Sequence, residues 1–475
     1  MSRLIRWMEP ETRSRRILLG LGIYVATVVV FAILAGDRVL AHTPYNHYAL
    51  MADAWLHGRH DLGGAPPGYT GMNDFALFEG RWFISFPPFP AVLMAPLVKL
   101  AGNPENFRDG QFVVWLAGVG PAVLFLVLEK LRRMGRSLRT EIEDVRLALL
   151  FAFGSVYFFT SVQGTVWFAA HVVGVGLAAL FMLFALDAER PALAGLMLGF
   201  MYLTRPTTAL VGVFFVFEAV RVAYKDPLPE GGTLFERVVT VVRDADRRVL
   251  GRMLVSFAAP IALCLAFAAW MNHARFHTWN PSAFGHEHLQ IGWKTRIDRW
   301  GLFSIHFLPR NLSVMLASLP WKPMPTDDVP LEILGMTFQV PHWIVSGHGL
   351  ALWFTSPFYL WLLRPKKVGF VWTAALVAAL GPLTMNLLYQ NSGWFQFGYR
   401  FSNDYAVFLF VLLALGVSRM GRRFWLCAAW AVAINFFGAR SFERADFSQF
   451  YSHEAAAPMR RYGGSATLDL VYPPD

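Results

Sequence analysis

The sequence predicts an all-α polytopic membrane protein, and three observations carry that reading. Of 475 residues, 55% are hydrophobic and 16% charged, where soluble domains hold roughly 45–50% and about 25%. Long apolar runs recur along the chain, and most basic residues gather between them rather than inside them. The mean hydropathy, +0.42, agrees. Such a composition excludes disordered, collagenous and disulfide-stapled secreted proteins. Cys264 and Cys427 both sit within apolar runs, which excludes a disulfide framework and a Cys-rich metal site.

About 20 apolar residues cross a hydrocarbon core. Segments 17–35, 112–128, 147–162, 166–186, 254–271, 347–363, 368–388, 405–417 and 424–437 are candidate spans. Segment 192–222 is interrupted by Thr204-Arg205-Pro206 and reads as a hairpin of two further helices. Segment 88–101, PFPAVLMAPLVKLA, reaches only about 21 Å at about 1.5 Å per residue, so it is assigned to the membrane surface.

Charge sets the direction. With these assignments the N-terminus and segments 129–146, 187–191, 221–252, 364–367 and 418–423 lie on one side and hold 25 of the 42 basic residues. The positive-inside rule makes that side cytoplasmic. The net charge of +10 is therefore a topology signal, and nucleic acid is not an expected partner. The expectation is eleven transmembrane helices plus two interfacial helices, N-terminus cytoplasmic and C-terminus extracytoplasmic, in a multi-pass protein of a bacterial inner membrane. One transmembrane domain, 1–437, carries outer loops 37–111, 272–346 and 389–402, and an extracytoplasmic tail, 438–475, follows.

The first outer loop opens with Asp37 and Arg38, then HTPYNHYALMADAWLHGRHDL. Thr43-Pro44 suits a helix start. Helical spacing then puts Asn46, Asp53 and His57 on one stripe, and Trp55 at headgroup level makes this an interfacial helix. It is either a solvated face or a set of contacts for a substrate. Phe75–Phe78 and 82–86 flank the turn signal Glu79-Gly80-Arg81.

Arg205 lies within an apolar stretch, where an unpaired charge costs about 2.5–3.5 kcal/mol on insertion scales. A phosphate would neutralise it, and guanidinium suits bidentate phosphate contact. Pairing with an internal carboxylate or snorkelling to headgroups is the alternative. Arg400, among aromatics, makes the same case, and the two can form a phosphate clamp. In the second outer loop, FGHEHLQIGW offers His286, Glu287 and His288. His-x-His on an extended segment can ligate a metal, but further ligands are undefined, so no metal site is assigned. Trp279 and Trp293, with His286, suit contact with an acceptor or sugar; an ordinary packed loop is the plainer alternative. HExxH, P-loop and GxGxxG patterns are absent, which argues against a zincin, a nucleotide-driven pump and a Rossmann enzyme. Asn311-Leu312-Ser313 is a sequon, informative only in a glycosylating compartment.

The order of these features resembles a known group. A first span leads to a surface helix, an aromatic-Pro-Pro segment, a second surface helix and a span ending in Leu-Arg-Arg. That order is similar to the GT-C fold polyprenyl-phosphate-dependent glycosyltransferases, such as protein O-mannosyltransferases and aminoarabinose transferases. LAGLMLGFMYLTRPTTALVGVFF, 193–215, resembles their short helix pair with a basic residue at the break. FQFGYRFSNDYAVFLFVLLALG, 395–416, resembles the aromatic-Gly-x-Arg opening of a late span.

The resemblance implies a membrane transferase that moves a sugar from a polyprenyl-phosphate donor to an acceptor hydroxyl outside the membrane, building a cell-envelope glycan. Its partners would be the lipid-linked sugar, a glycan, lipid or protein acceptor, and the bilayer. No cofactor is expected, and a divalent metal is not indicated. The alternative is a non-catalytic polyprenyl-lipid-binding protein or transporter on the same scaffold.

Where the group typically has an acidic pair, this chain has Tyr45 and Asn46. The candidate bases are therefore Asp37, Asp53 and His47, with Asp37 favoured because it ends a span. Arg205 and Arg400 are the candidate donor-phosphate ligands. Asn46, His57, Trp279, His286, Glu287 and His288 are the candidate acceptor or sugar contacts.

Overall fold

The computed structural model describes residues 12–224, 233–320, 331–333, 336–338, 344–417 and 420–452. The basic residues of 1–11, 225–232 and 418–419, and the last part of the expected tail, 453–475, lie outside the described residues.

Helix α1, Arg13–Ala35, starts on Thr12, whose side chain accepts the Arg15 N–H. The first loop then gives α2 (His47–Leu56), a hairpin of β1 (Phe75–Phe78) and β2 (Arg81–Ile84), and α3 (Phe89–Ala101). The hairpin pairs Phe75 with Ile84 and Phe78 with Arg81. Its two-residue turn, Glu79-Gly80, has positive φ at both positions (48° and 73°), the twist that suits a tight antiparallel connection.

Next come α4 (Asp109–Ala117), α5 (Val119–Arg133), α6 (Glu141–Gly154), α7 (Tyr157–Ser161), α8 (Val166–Ala185), α9 (Pro191–Tyr202) and α10 (Val213–Ala223). Then follow α11 (Leu234–Arg243), α12 (Arg247–Phe276), α13 (Lys294–Trp300), α14 (Leu308–Ala317), α15 (Leu352–Thr355), α16 (Phe370–Leu388), α17 (Ala406–Gly416) and α18 (Arg422–Ser441).

Among the described residues, six helical stretches are long and apolar enough to cross a membrane: Arg13–Val39, Asp109–Arg133, Val166–Ala188, Pro206–Ala223, Arg247–Phe276 and Phe370–Leu388. The other expected spans are shorter or interrupted, apart from α18, which has 20 residues but is less apolar. Helices α6 and α7 part at Ser155, which is extended. The stretch after α15 turns at Ser356 because the proline that follows disfavours helical geometry there. Helix α17 has only 11 residues.

The break in segment 192–222 falls at Arg205. Preceding Pro206, it takes an extended conformation (φ −149°, ψ 97°). Gly212 lies against Leu198, and Glu218 accepts the backbone N–H of Asp187 at 2.7 Å. The two pieces therefore run antiparallel, with Arg205 at their tip. Gly195 and Gly199, one turn apart on α9, meet the Phe257 backbone and Cys264 of α12. Small residues at this spacing let helices in lipid approach closely.

At the opposite end from that tip, the basic segments meet their acids. Arg136 and Arg221 share Asp187 and Glu218, Lys130 reaches Glu189 at 2.6 Å, and Arg15 reaches Glu141 at 2.6 Å. The Lys366 N–H closes on the Gly416 carbonyl at 2.8 Å. The loops collect at the other end. There Arg444 donates to the Leu34 and Ala35 carbonyls, and Tyr451–Ser452 pairs in parallel with Val345–Ser346.

The two helices expected at the interface differ from one another. In α2, His47 to Ala52 and Ala54 are buried. The long loop folds back over this helix and covers the polar stripe at its start: Asn46 is buried, while Asp53 is half-buried and His57 exposed. Helix α3 leaves Val92, Leu97 and Leu100 exposed along one side.

Candidate functional site

A cavity of about 690 Å³ lies at the loop end. Its walls come from six parts of the chain: the first loop from Tyr45 to Pro87, the start of α8, the hairpin tip around Arg205, His348, and the two stretches 282–310 and 385–401. Each wall is tied down locally. The Tyr45 carbonyl accepts the N–H of Val166 at 3.0 Å, which sets the first loop against α8. His47 bonds through Nε2 to the Asn73 carbonyl at 2.8 Å, fixing the turn ahead of β1. Gln396 donates to the His348 and Ser392 carbonyls, both at 2.8 Å, and accepts the N–H of Arg400 at 2.8 Å.

Arg205 and Arg400 both line this cavity. They flank one ring, with guanidinium carbons 5.3 Å and 5.6 Å from the centre of Phe401. Their partners differ. Arg205 gives Nε and Nη2 to the two oxygens of Asp404, at 2.6 and 2.7 Å. Asn386 adds a bond to Asp404 at 2.9 Å, and His171 Nδ1 stands 3.2 Å away. Against the opposing effect of burial, the Arg205 guanidinium and His171 hold the Asp404 carboxyl well below the usual carboxylate range. Arg400 is 5% exposed and has no carboxylate within ion-pair distance among the described residues. Its Nε has no hydrogen bond among the described residues, and its charged end lies 5.1 Å from the centre of the Phe168 ring. Burial, with Arg205 nearby, brings it down to about 9.

Sequence reasoning missed Asp74, the sole carboxylate among the described residues that line the cavity. It sits in the turn before β1 with φ 61°, a left-handed conformation that Asp tolerates better than most residues. The indole N–H of Trp167 donates to its Oδ2 at 2.7 Å. It is 8% exposed, and burial pushes it up to about 6 against the opposing pull of Trp167 and Arg400. In the sequence it is one more Asp in a polar turn, so nothing marked it out.

The other expected residues fall in several places. His286 lines the cavity, and burial brings its imidazole down to about 4. Trp293 lines it as well. His288 instead packs its ring 4.7 Å from Phe78, and Glu287 is exposed. Residues 286–288 form a 3-10 turn rather than a strand, so the two histidines do not share a face. Trp279 is exposed and stacks on His273 at 4.2 Å.

Asp37 is exposed at the end of α1, where its charge acts on Arg444. Asp53 stands 3.5 Å from His57 on the outer side of α2. His47 is fully buried against Phe75, and burial brings it down to about 4. Asn46 bonds to the Pro104 carbonyl and the Tyr69 hydroxyl, both at 3.3 Å. Asn46, His47, Asp53, His57 and Asp37 are not among the lining residues. Among the described residues, no three His, Cys, Asp or Glu side chains converge as a metal site would require.

No protein-family model matches the chain. No curated protein matches it either. Among solved structures it is similar to the Archaeoglobus fulgidus oligosaccharyltransferase in its apo form, at 15% identity and TM-score 0.44, over 90% of this chain and 56% of that one. It is similar to the same enzyme tethered with an acceptor peptide containing the NVT sequon, at 14% identity and TM-score 0.46, over 88% and 55%. A third is archaeal oligosaccharyltransferase AglB from that organism with an inhibitory peptide and a dolichol-phosphate, at 13% identity and TM-score 0.44, over 90% and 56%. The chain spans little more than half the length of that enzyme.

Proposed function

We propose that this chain is an integral membrane glycosyltransferase that moves a sugar from a polyprenyl-phosphate donor to an acceptor hydroxyl on the extracytoplasmic side. The observation that carries the reading is Arg400, a buried guanidinium that faces a cavity and has no carboxylate within ion-pair distance among the described residues. Burying an uncompensated charge costs several kcal/mol, and an anion in the cavity removes that cost. Guanidinium is matched to phosphate oxygens. The cavity is of the size that small-molecule sites use, and Tyr45, Trp167 and Trp293 offer flat faces to a sugar.

The location supports a lipid-linked donor. Arg205 stands at the tip of a membrane hairpin, and Asp404 holds one edge of its guanidinium while the Nη1 group on the other edge is left for a ligand. As the sugar–phosphate bond breaks, the two guanidinium groups would stabilise charge on the departing phosphate. In this reading the ionic end of the bundle is cytoplasmic and the cavity end outside, with eleven spans in a bacterial inner membrane. The pieces α6–α7, α9, α15 with the turn that follows it, α17 and α18 would complete the count within the bundle, and α3 would lie at the interface.

The test is transfer. Purified full-length protein is given polyprenyl-phosphate donors carrying labelled sugars and a mixture of glycan, lipid and peptide acceptors. The reading expects label in an acceptor with wild type and at least a tenfold loss with Arg400→Ala. Binding of polyprenyl phosphate with no transfer from any donor would instead identify a lipid-binding protein or transporter, the function that the absence of an acidic pair at Tyr45-Asn46 favours.

A further inference from the structure

We propose that Asp74 is the catalytic base that takes the proton of the acceptor hydroxyl, and that Trp167 is a positioning residue that holds one of its oxygens. The assignment rests on the glycosyl-transfer reading above and names the residue that reading needs.

Geometry selects Asp74. It is the sole carboxylate among the described residues that line the cavity. Asp37 and Asp53 are not among them. Its Oδ2 is occupied by the Trp167 indole N–H at 2.7 Å, and its Oδ1 has no hydrogen bond among the described residues. The backbone around it is pinned on both sides: His47 holds the Asn73 carbonyl, and the Ser85 hydroxyl donates to the Asp74 carbonyl at 2.8 Å. A carboxylate fixed this way presents one lone-pair-bearing oxygen to a substrate, which is the geometry of a general base. The left-handed φ of 61° is the kind of local strain that concentrates at working sites.

The groups facing it are of the right kinds. Arg400, whose charge acts on Asp74, favours its ionised form, and Tyr45 and Tyr389 are the phenols whose ionisation its charge opposes. The step balances. The acceptor oxygen forms a bond to the anomeric carbon, and its proton passes to Asp74 Oδ1. The bond from that carbon to the phosphate oxygen breaks, its electron pair leaving with the phosphate.

The experiment compares full-length wild type, Asp74→Asn and Trp167→Phe in the transfer assay across pH 4.5–9, beside binding of polyprenyl phosphate without sugar. Asn accepts the same backbone conformation and can still receive the Trp167 N–H. The proposal expects Asp74→Asn to lose roughly 100-fold or more in kcat with lipid binding within about threefold of wild type. It expects Trp167→Phe to stay active with its acid limb moved to higher pH, a change that a merely structural indole would not cause. Asp74→Asn with undiminished transfer overturns the assignment alone, as does lipid binding lost in step with transfer. A wild type that transfers from no donor overturns the glycosyl-transfer reading and this assignment with it.

Discussion

The Nε and Nη2 groups on one edge of Arg205 donate to the two oxygens of Asp404, at 2.6 and 2.7 Å, across 199 residues of sequence. Asp404 is 4% exposed and the Arg205 side chain 19%, so a buried carboxylate relies on a half-buried guanidinium. Removing one partner of such a pair typically costs about 3–5 kcal/mol, because a buried charge is left uncompensated. Asp404→Ala should lower thermal stability in detergent accordingly, and Arg205→Met with Asp404→Leu should recover most of the loss. The lowered Asp404 pKa makes its contribution complete above the unfolded value of about 4, to be lost only as pH falls well below it.

Arg400 behaves in the opposite sense. Because no carboxylate stands within ion-pair distance of it among the described residues, Arg400→Gln removes a desolvated charge and should leave stability unchanged or raised. A charge-assisted hydrogen bond is worth about 1.5–3 kcal/mol, so polyprenyl-phosphate binding should weaken roughly 10–100-fold. Thermal unfolding and lipid titration on the same samples check both halves.

Asp74, raised to about 6, gives two pH trends of opposite sign. The base works ionised, so transfer should fall as pH drops through about 6. Stability moves the other way: a buried carboxyl with a raised pKa takes up its proton more readily in the folded state, so stability should rise over the same drop. Asp74→Asn should remove that rise, which a pH series of melting temperatures measures.

At Gly195 an added Cβ would run into the Phe257 backbone of α12. Gly195→Leu should therefore push α9 away from α12 and move the tip that carries Arg205. The expected result is loss of lipid-phosphate binding together with a lowered melting temperature. The same substitution at Gly292, where the space is open, should change neither.

With Cys264 and Cys427 replaced by Ala, single cysteines at Thr140 and Gly292 probe the two ends of the bundle. In intact cells a membrane-impermeant maleimide should label the Gly292 site and spare the Thr140 site. Labelling in the reverse order would invert the topology.

The sequence exposed what is anomalous in one dimension. Arg205 and Arg400 stood out because charge in an apolar setting is rare, and the break at Thr204-Arg205-Pro206 followed from proline. Residues that meet only in space were hidden. The Arg205–Asp404 pair joins distant segments, and Asp74 gains its character from burial beneath a loop and from Trp167 of another helix. Helix α2 was legible as a helix, but its stripe of Asn46, Asp53 and His57 could not reveal that the following loop buries its start. His286 and His288 look alike in a string of letters, and the 3-10 turn between them decides that one of the two lines the cavity.

The most direct measurement is an experimental structure of the full chain with bound polyprenyl phosphate. The account predicts the phosphate in the cavity within hydrogen-bond distance of the Arg400 guanidinium, with Asp74 Oδ1 facing the position of the sugar. A phosphate bound elsewhere, with Arg400 still buried beside an unoccupied cavity, would contradict it.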